Sequence, residues 1–244
     1  MSAMHEENAS IVQAMAIESE ETFGSRTYYS GSLHGKPVVV VFSHWGKVAA
    51  AITATSLISR YDVSEIIFTG VAGAITPDLS VGDIVIGTDL YQHDMDASPI
   101  ISRHEIPLLG KAEIEADIVV RQKLHSAADD FVALDFAAAV ATHTVEKFGL
   151  SSPVVLAAAV ASGDQFVCDP AEATAIGSRL PGVACVEMEG AAVAQVCESF
   201  DVPFGLVRTI SDGANESSDM DFQAFVSQVA QVYSLGIVKR YLAE

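Results

Sequence analysis

Three observations predict a single-domain α/β fold built on a central mixed, twisted β-sheet flanked by helices. Short β-branched apolar runs alternate with alanine-rich segments of helical length, and that alternation lays helices over a mostly parallel or mixed sheet. Two early runs, residues 27–33 and 37–43, are separated by His34-Gly35-Lys36, a hairpin signal that adds an antiparallel part. The chain has 244 residues, half of them apolar, with no linker and no internal repeat. One large core is therefore expected, and residues 1–244 read as one domain.

In chain order, the opening apolar run gives a strand at residues 10–14, and the hairpin gives strands at 27–33 and 37–43. A helix follows over 46–61, where Val48, Ala51, Ile52, Leu57 and Ile58 meet no charge between Lys47 and Arg60. Such a helix is buried on most sides. Further apolar runs predict strands at 65–69, 83–88, 154–161, 184–187 and 204–210. Helical patterning falls at 114–128, 170–179 and 189–200, and Asp219 ahead of Phe222 and Phe225 suits the cap of a last amphipathic helix, 219–242. Residues 97–112 form a longer irregular segment with Pro99, Pro107 and Gly110 but also apolar Ile100, Ile101, Leu108 and Leu109. Those apolar residues need cover, from their own subunit or from a second one.

Composition narrows the function. A net charge of −19 with no Lys/Arg cluster argues against nucleic acid and anionic membranes, and it favours small neutral or zwitterionic ligands over highly charged phosphates. No apolar run reaches membrane-spanning length, and residues 1–8 are acidic with no signal-peptide core behind them. Cys168, Cys185 and Cys197 lack paired spacing, as expected of reduced thiols in the cytoplasm. His93-Asp94-Met95-Asp96 looks like a metal cluster, but no second His/Asp pair supports it. A hydrogen-bonded loop is expected there, with neither metal nor cofactor.

Five segments place polar or strain-tolerant residues at the ends of apolar strands, where ligands of open α/β sheets bind. They are Ala14-Met15-Ala16-Ile17-Glu18, Thr69-Gly70-Val71-Ala72-Gly73, Ser162-Gly163-Asp164-Gln165-Phe166-Val167, Val186-Glu187-Met188-Glu189-Gly190 and Arg208-Thr209-Ile210-Ser211-Asp212-Gly213. Each has a plainer reading. Glu18 suits the first turn of a short helix, Gly70 to Gly73 an ordinary tight turn, and Arg208 with Asp212 a structural ion pair. Glu187 and Glu189, two apart, would point the same way from a strand, and like charges that close raise at least one pKa.

Taken together these segments resemble the 5′-methylthioadenosine/S-adenosylhomocysteine nucleosidases of the nucleoside phosphorylase/hydrolase superfamily. Gly46-Lys47-Val48-Ala49 fits the same pattern, and the similarity runs from Ile11 to the C-terminal helix. The resemblance implies that Glu18 positions and deprotonates a water, and that Asp212, oriented by Ser211, protonates the purine at N7. Arg208 would lie near the water. Met188 and Glu189 would bind the ribose, Phe166 would stack on the base, and the Val167 backbone would read its Watson–Crick edge. Met15, Trp45 and Phe222 would line the 5′-substituent pocket, with Val71, Ala72 and Gly73 also against the substrate. Ala97, Ile100 and Pro107 would reach into the neighbouring site of a homodimer. The implied reaction is metal-free hydrolysis of an adenine nucleoside.

Three departures from the family pattern stand out. Nine residues separate Glu18 from Tyr28, Val71 replaces a serine, and Trp45 replaces a smaller aliphatic residue. Residues before Ser10 read as an extension outside the fold. Competing readings are an aminodeoxyfutalosine nucleosidase, a purine nucleoside phosphorylase, and a nucleoside-binding protein without turnover.

Overall fold

The computed structural model describes residues 1–150, 152–213 and 222–243. Six strands make the central sheet: β4 (Ile66–Ala74), β5 (Ile84–Gln92), β6 (Glu113–Glu115), β7 (Val155–Ser162), β8 (Val183–Glu187) and β9 (Phe204–Asp212). Their order is β6-β5-β7-β8-β4-β9, and β9 pairs back onto β5, so five strands close into a ring with β6 on its edge. The pairing is mixed, as expected: β5 with β7, β7 with β8 and β4 with β9 are parallel, whereas β4 with β8 and β5 with β9 are antiparallel. Every residue of β8 and β9 is buried, which is why β8 and the first half of β9 read as apolar runs rather than alternating ones.

A separate antiparallel sheet holds β1 (Ala16–Phe23), β2 (Arg26–Leu33) and β3 (Lys36–Val40). The β2–β3 hairpin turns at His34 and Gly35, both with positive φ, the backbone that a two-residue turn between twisted strands requires. The helices α1 (His5–Ala14), α2 (Lys47–Tyr61), α3 (Ile118–Asp130), α4 (Thr142–Phe148), α5 (Pro170–Arg179), α6 (Gly190–Ser199) and α7 (Gln231–Ala243) flank the strands. Wider π turns extend α3 through Phe131–Asp135 and lead into α7 through Val226–Ala230. Among the described residues no helix is long and apolar enough to cross a membrane.

The sequence reading fails in a few places, each for a local reason. Residues 10–14 are the end of α1 rather than a strand. The first strand is β1, exposed along its whole length, so no buried face marks its sequence. Residues before Ser10 belong to the fold: the Ser2 amide donates to the Val41 carbonyl, the Ser43 amide donates to that of Ser2, and the Thr69 amide donates to that of Met1. Ile114 lies in β6, and the following helix starts later because the Asp117 carboxylate accepts from the Val119 and Val120 amides, both at 2.9 Å. Helix α4 was not anticipated. The cap proposed at Asp219 lies outside the described residues; the last helical stretch is described from Phe222.

Gly236 of α7 packs against Phe131, whose ring would stand 2.3 Å from a β-carbon added there. Helix propensity alone favours Gly236→Ala by about 1 kcal/mol, but overpacking a rigid ring costs about 1–3 kcal/mol or more. Packing is expected to win. Gly236→Ala should lower the melting temperature, and a rise in calorimetry would show that the two elements can separate at little cost.

Candidate functional site

One pocket of about 220 Å³ opens where the strand ends and helix starts converge. β4 brings Val71, Ala72 and Gly73; the segment after β7 brings Gln165, Phe166 and Val167; β8 and the start of α6 bring Glu187, Met188 and Glu189; β9 brings Arg208, Ser211 and Asp212. Trp45 and Phe222 complete the apolar wall. Phe166 and Trp45 are more than half exposed, as suits rings at a mouth.

Glu7, Ala3 and Met4 also line this pocket, whereas Glu18 and Met15 do not. Glu18 is exposed on β1, and Met15 is buried with Ile11, Leu33 and Val40 in a small cluster of its own. The acid in the position expected of Glu18 is therefore Glu7, and the methionine expected of Met15 is Met4. The two stretches share one spacing, Ala-Met-x-x-Glu, at residues 3–7 and 14–18. A signal that separates them was present. Twenty residues lie between Glu7 and Tyr28, enough for a helix and a turn, against nine after Glu18.

Glu7 is fixed by the start of α1. It sits three residues past the N-cap Met4, and one carboxylate oxygen accepts from the Met4 amide at 2.8 Å and the Ala3 amide at 2.9 Å, half of a capping box. The other oxygen accepts from the Val71 amide at 3.1 Å. A β-carbon at Gly70 would stand 2.9 Å from Glu7 and 3.0 Å from Arg208, so only glycine leaves room for both. Burial raises the pKa of Glu7, against the pull of Arg208 and these amides. A carboxylate so placed suits the acceptance of a proton from water.

Arg208 is almost wholly buried and pairs with Glu187 at 2.6 Å, its guanidinium lying over the Phe68 ring at 4.3 Å. The ion pair thought possible with Asp212 is thus made with Glu187. Glu187 also accepts from the Glu189 and Gly190 amides at the start of α6 and from the Ser162 hydroxyl. Glu187 ends β8 while Glu189 caps α6, so the two do not point the same way from one strand. Glu189 instead reaches the start of α2, accepting from the Gly46 amide at 2.8 Å. Burial, and then the nearby Glu187 charge, push its pKa up to about 8. Asp212 accepts from the Ser211 hydroxyl at 2.7 Å.

Ala97, Ile100 and Pro107 do not line the pocket of their own chain; Ile100 is 89% exposed. Among the described residues no three His, Cys, Asp or Glu side chains are grouped to hold a metal ion. Asp94 takes part in a hydrogen-bonded loop.

Residues 1–243 match the model of the phosphorylase superfamily. A 5′-methylthioadenosine/S-adenosylhomocysteine nucleosidase of Shewanella pealeana is 35% identical over 97% of this chain and 94% of its own length. The crystal structure of the corresponding Neisseria meningitidis nucleosidase, in complex with methylthio-immucillin-A, superposes with a TM-score of 0.85 at 29% identity, covering 99% of this chain and 96% of that one. The futalosine hydrolase of Helicobacter pylori superposes with a TM-score of 0.84 at 31% identity, over 99% and 95% of the two chains.

The shift at Glu189 sets a direction for stability against pH. Its carboxyl ionises near 4.5 in an unfolded chain and near 8 in the folded one. Its contribution is intact below the lower value and is lost as pH rises through the upper one, because the unfolded state gives up its proton first. Glu189→Gln should therefore melt close to the parent near pH 5 and a few degrees above it at pH 8.5. A melting difference independent of pH would refute the assignment.

Proposed function

Since the chain belongs to the phosphorylase superfamily, and within it to the 5′-methylthioadenosine/S-adenosylhomocysteine nucleosidases, we propose that its pocket hydrolyses the N-glycosidic bond of those two nucleosides. The products are adenine and the 5′-thioribose. One observation carries this reading: Glu7, Glu189 and Asp212, remote in sequence, line a single nucleoside-sized hollow. The aromatic side chains at its mouth suit a flat base.

The chemistry follows from where the charge goes. Adenine leaves poorly unless its ring is protonated, so Asp212 in its acid form gives a proton to N7 as the bond from N9 to C1′ lengthens. Ser211, which donates to one Asp212 oxygen, orients the carboxyl. General acid help of this kind is typically worth about 10² to 10⁴ in rate. Positive charge grows on the ribose, and Glu189 grips the sugar hydroxyls; its ionised form, which takes over as pH approaches 8, stabilises that cation. Glu7 takes a proton from the water that attacks C1′. Arg208 holds the carboxylates around that water, and Phe166 stacks on the base while the Val167 backbone reads its edge.

A larger 5′-substituent also has room. A second hollow of about 500 Å³ shares Ala3, Met4, Trp45 and Phe222 with the nucleoside pocket, which supports aminodeoxyfutalosine as an alternative adenine-bearing substrate. We also read exposed Ile100, with Ala97 and Pro107, as cover for the pocket of a second copy in a homodimer. The setting we propose is methionine salvage in the cytoplasm.

Adenine release from methylthioadenosine, adenosylhomocysteine, aminodeoxyfutalosine and inosine, with and without phosphate, tests the proposal directly. Phosphate-independent release from the adenine nucleosides is expected; a rate that requires phosphate and yields ribose 1-phosphate would overturn it. Glu7→Gln should lower kcat at least a hundredfold with substrate still bound, and Asp212→Asn should impair turnover more than binding. Glu18→Gln should stay within twofold of the parent. The reverse order for the two glutamates would return the base to β1.

A further inference from the structure

Lys47 is the first residue of α2, where a cation opposes the helix dipole. Its surroundings account for the placement. The Lys47 ammonium donates to Asp94 at 2.6 Å and to the Gln92 side chain at 3.1 Å, and the Lys47 amide donates to Asp164 at 2.8 Å. The second Asp94 oxygen accepts from the Asp164 amide at 2.9 Å. The Gln92 side-chain Nε2 in turn donates to the Gln195 side chain of α6 at 2.7 Å. Three segments are tied at one point: the start of α2, the loop after β5 and the loop after β7.

Two of the tied segments lead directly to a pocket wall. Gly46, next to Lys47, donates to Glu189. Asp164 lies two residues before Phe166, and the fit around it is close, since a β-carbon on Gly46 would stand 3.0 Å from the Asp164 carboxylate. We propose that Lys47, Asp94 and Asp164 form a positioning clasp that fixes the distance between Glu189 on one side of the pocket and Phe166–Val167 on the other. None of the three lines the pocket. They act through the residues they hold, and the clasp rests on the pocket reading given above. It sets nucleoside affinity more than the chemical step.

Lys47 and Asp94 remain 15% and 25% accessible, and ion pairs this open contribute little to stability, typically under about 1 kcal/mol. That separates a positioning role from a structural one. Lys47→Met and Asp94→Asn should each raise KM for methylthioadenosine about tenfold, with kcat within about threefold of the parent and the melting temperature within a few degrees. Lys47→Arg should restore KM, and the double variant Lys47→Met/Asp94→Asn should be no worse than either single one. Unchanged KM, additive losses, or a KM that rises only in step with a falling melting temperature would overturn the clasp. Calorimetric binding of free adenine gives a readout that does not need turnover, with a dissociation constant about tenfold weaker in Asp94→Asn expected. A parent protein that releases no adenine from methylthioadenosine defeats the proposed activity. Unaltered adenine binding in Asp94→Asn defeats the clasp.

Discussion

The guanidinium of Arg208 is the interaction on which the site depends. A cation with almost no contact with water is tolerable only if paired and hydrogen-bonded, and Arg208 meets that condition with Glu187 at 2.6 Å and the carbonyls of Phe68 and Val207. Glu187 is held in turn by the amides that open α6. One charge therefore fixes the end of β8, the start of α6 and the middle of β9, and its field reaches Glu7 at the start of α1. Removing one partner of such a pair typically costs about 3–5 kcal/mol, because the other charge is left stranded.

Arg208 cannot neutralise three buried carboxylates. Glu187 takes the direct contact, so Glu7 and Glu189 are left with burial as the dominant influence, and both pKa values rise. The same electrostatics that would be a defect in a core is useful at a reacting centre, where groups poised to exchange a proton near neutrality are needed. Two glycines make the arrangement sterically feasible. Gly70 leaves space for Glu7 beside Arg208, and a β-carbon on Gly190 would stand 2.6 Å from Leu206 and 3.2 Å from Glu187. Stability and chemistry are thus settled by the same few contacts.

Much of this was legible in the chain because it is local. The β8 and β9 motifs each carry their polar residues within a few positions of an apolar run, and alternation of strands with helices gives the α/β class and its hairpin. What was not legible is non-local or duplicated. Ala-Met-x-x-Glu occurs twice, and although the spacing to Tyr28 favours the first copy, the contact that draws it into the fold, the Ser2 amide on the Val41 carbonyl, spans some forty residues. β1 carries no burial pattern because no face of it is buried. Asp117 shifted a helix start through its own side chain, and the ring closure of β9 on β5 leaves no trace in either strand's composition. Lys47 entered the reading as part of a short motif and Asp94 as part of a loop resembling a metal cluster, because the contact between them crosses 47 residues.

The charge inventory also bears on which nucleophile the pocket can admit. Among the described residues that line it, Arg208 is the sole cation, and it is already paired with Glu187, while Glu7, Glu189 and Asp212 are all potential anions. A phosphate dianion entering there would meet the ionised Glu7 that must accept the proton, with no free lining cation to offset its charge, and like charges repel strongly in a medium that screens poorly. Water carries no net charge and can donate to Glu7 while its lone pair faces C1′. The negative field of the whole chain, at −19, adds to the discrimination at longer range. An acidic pocket whose single cation is committed to structure is thus suited to hydrolysis, and the selectivity against phosphorolysis follows from the same buried guanidinium that holds the carboxylates in place.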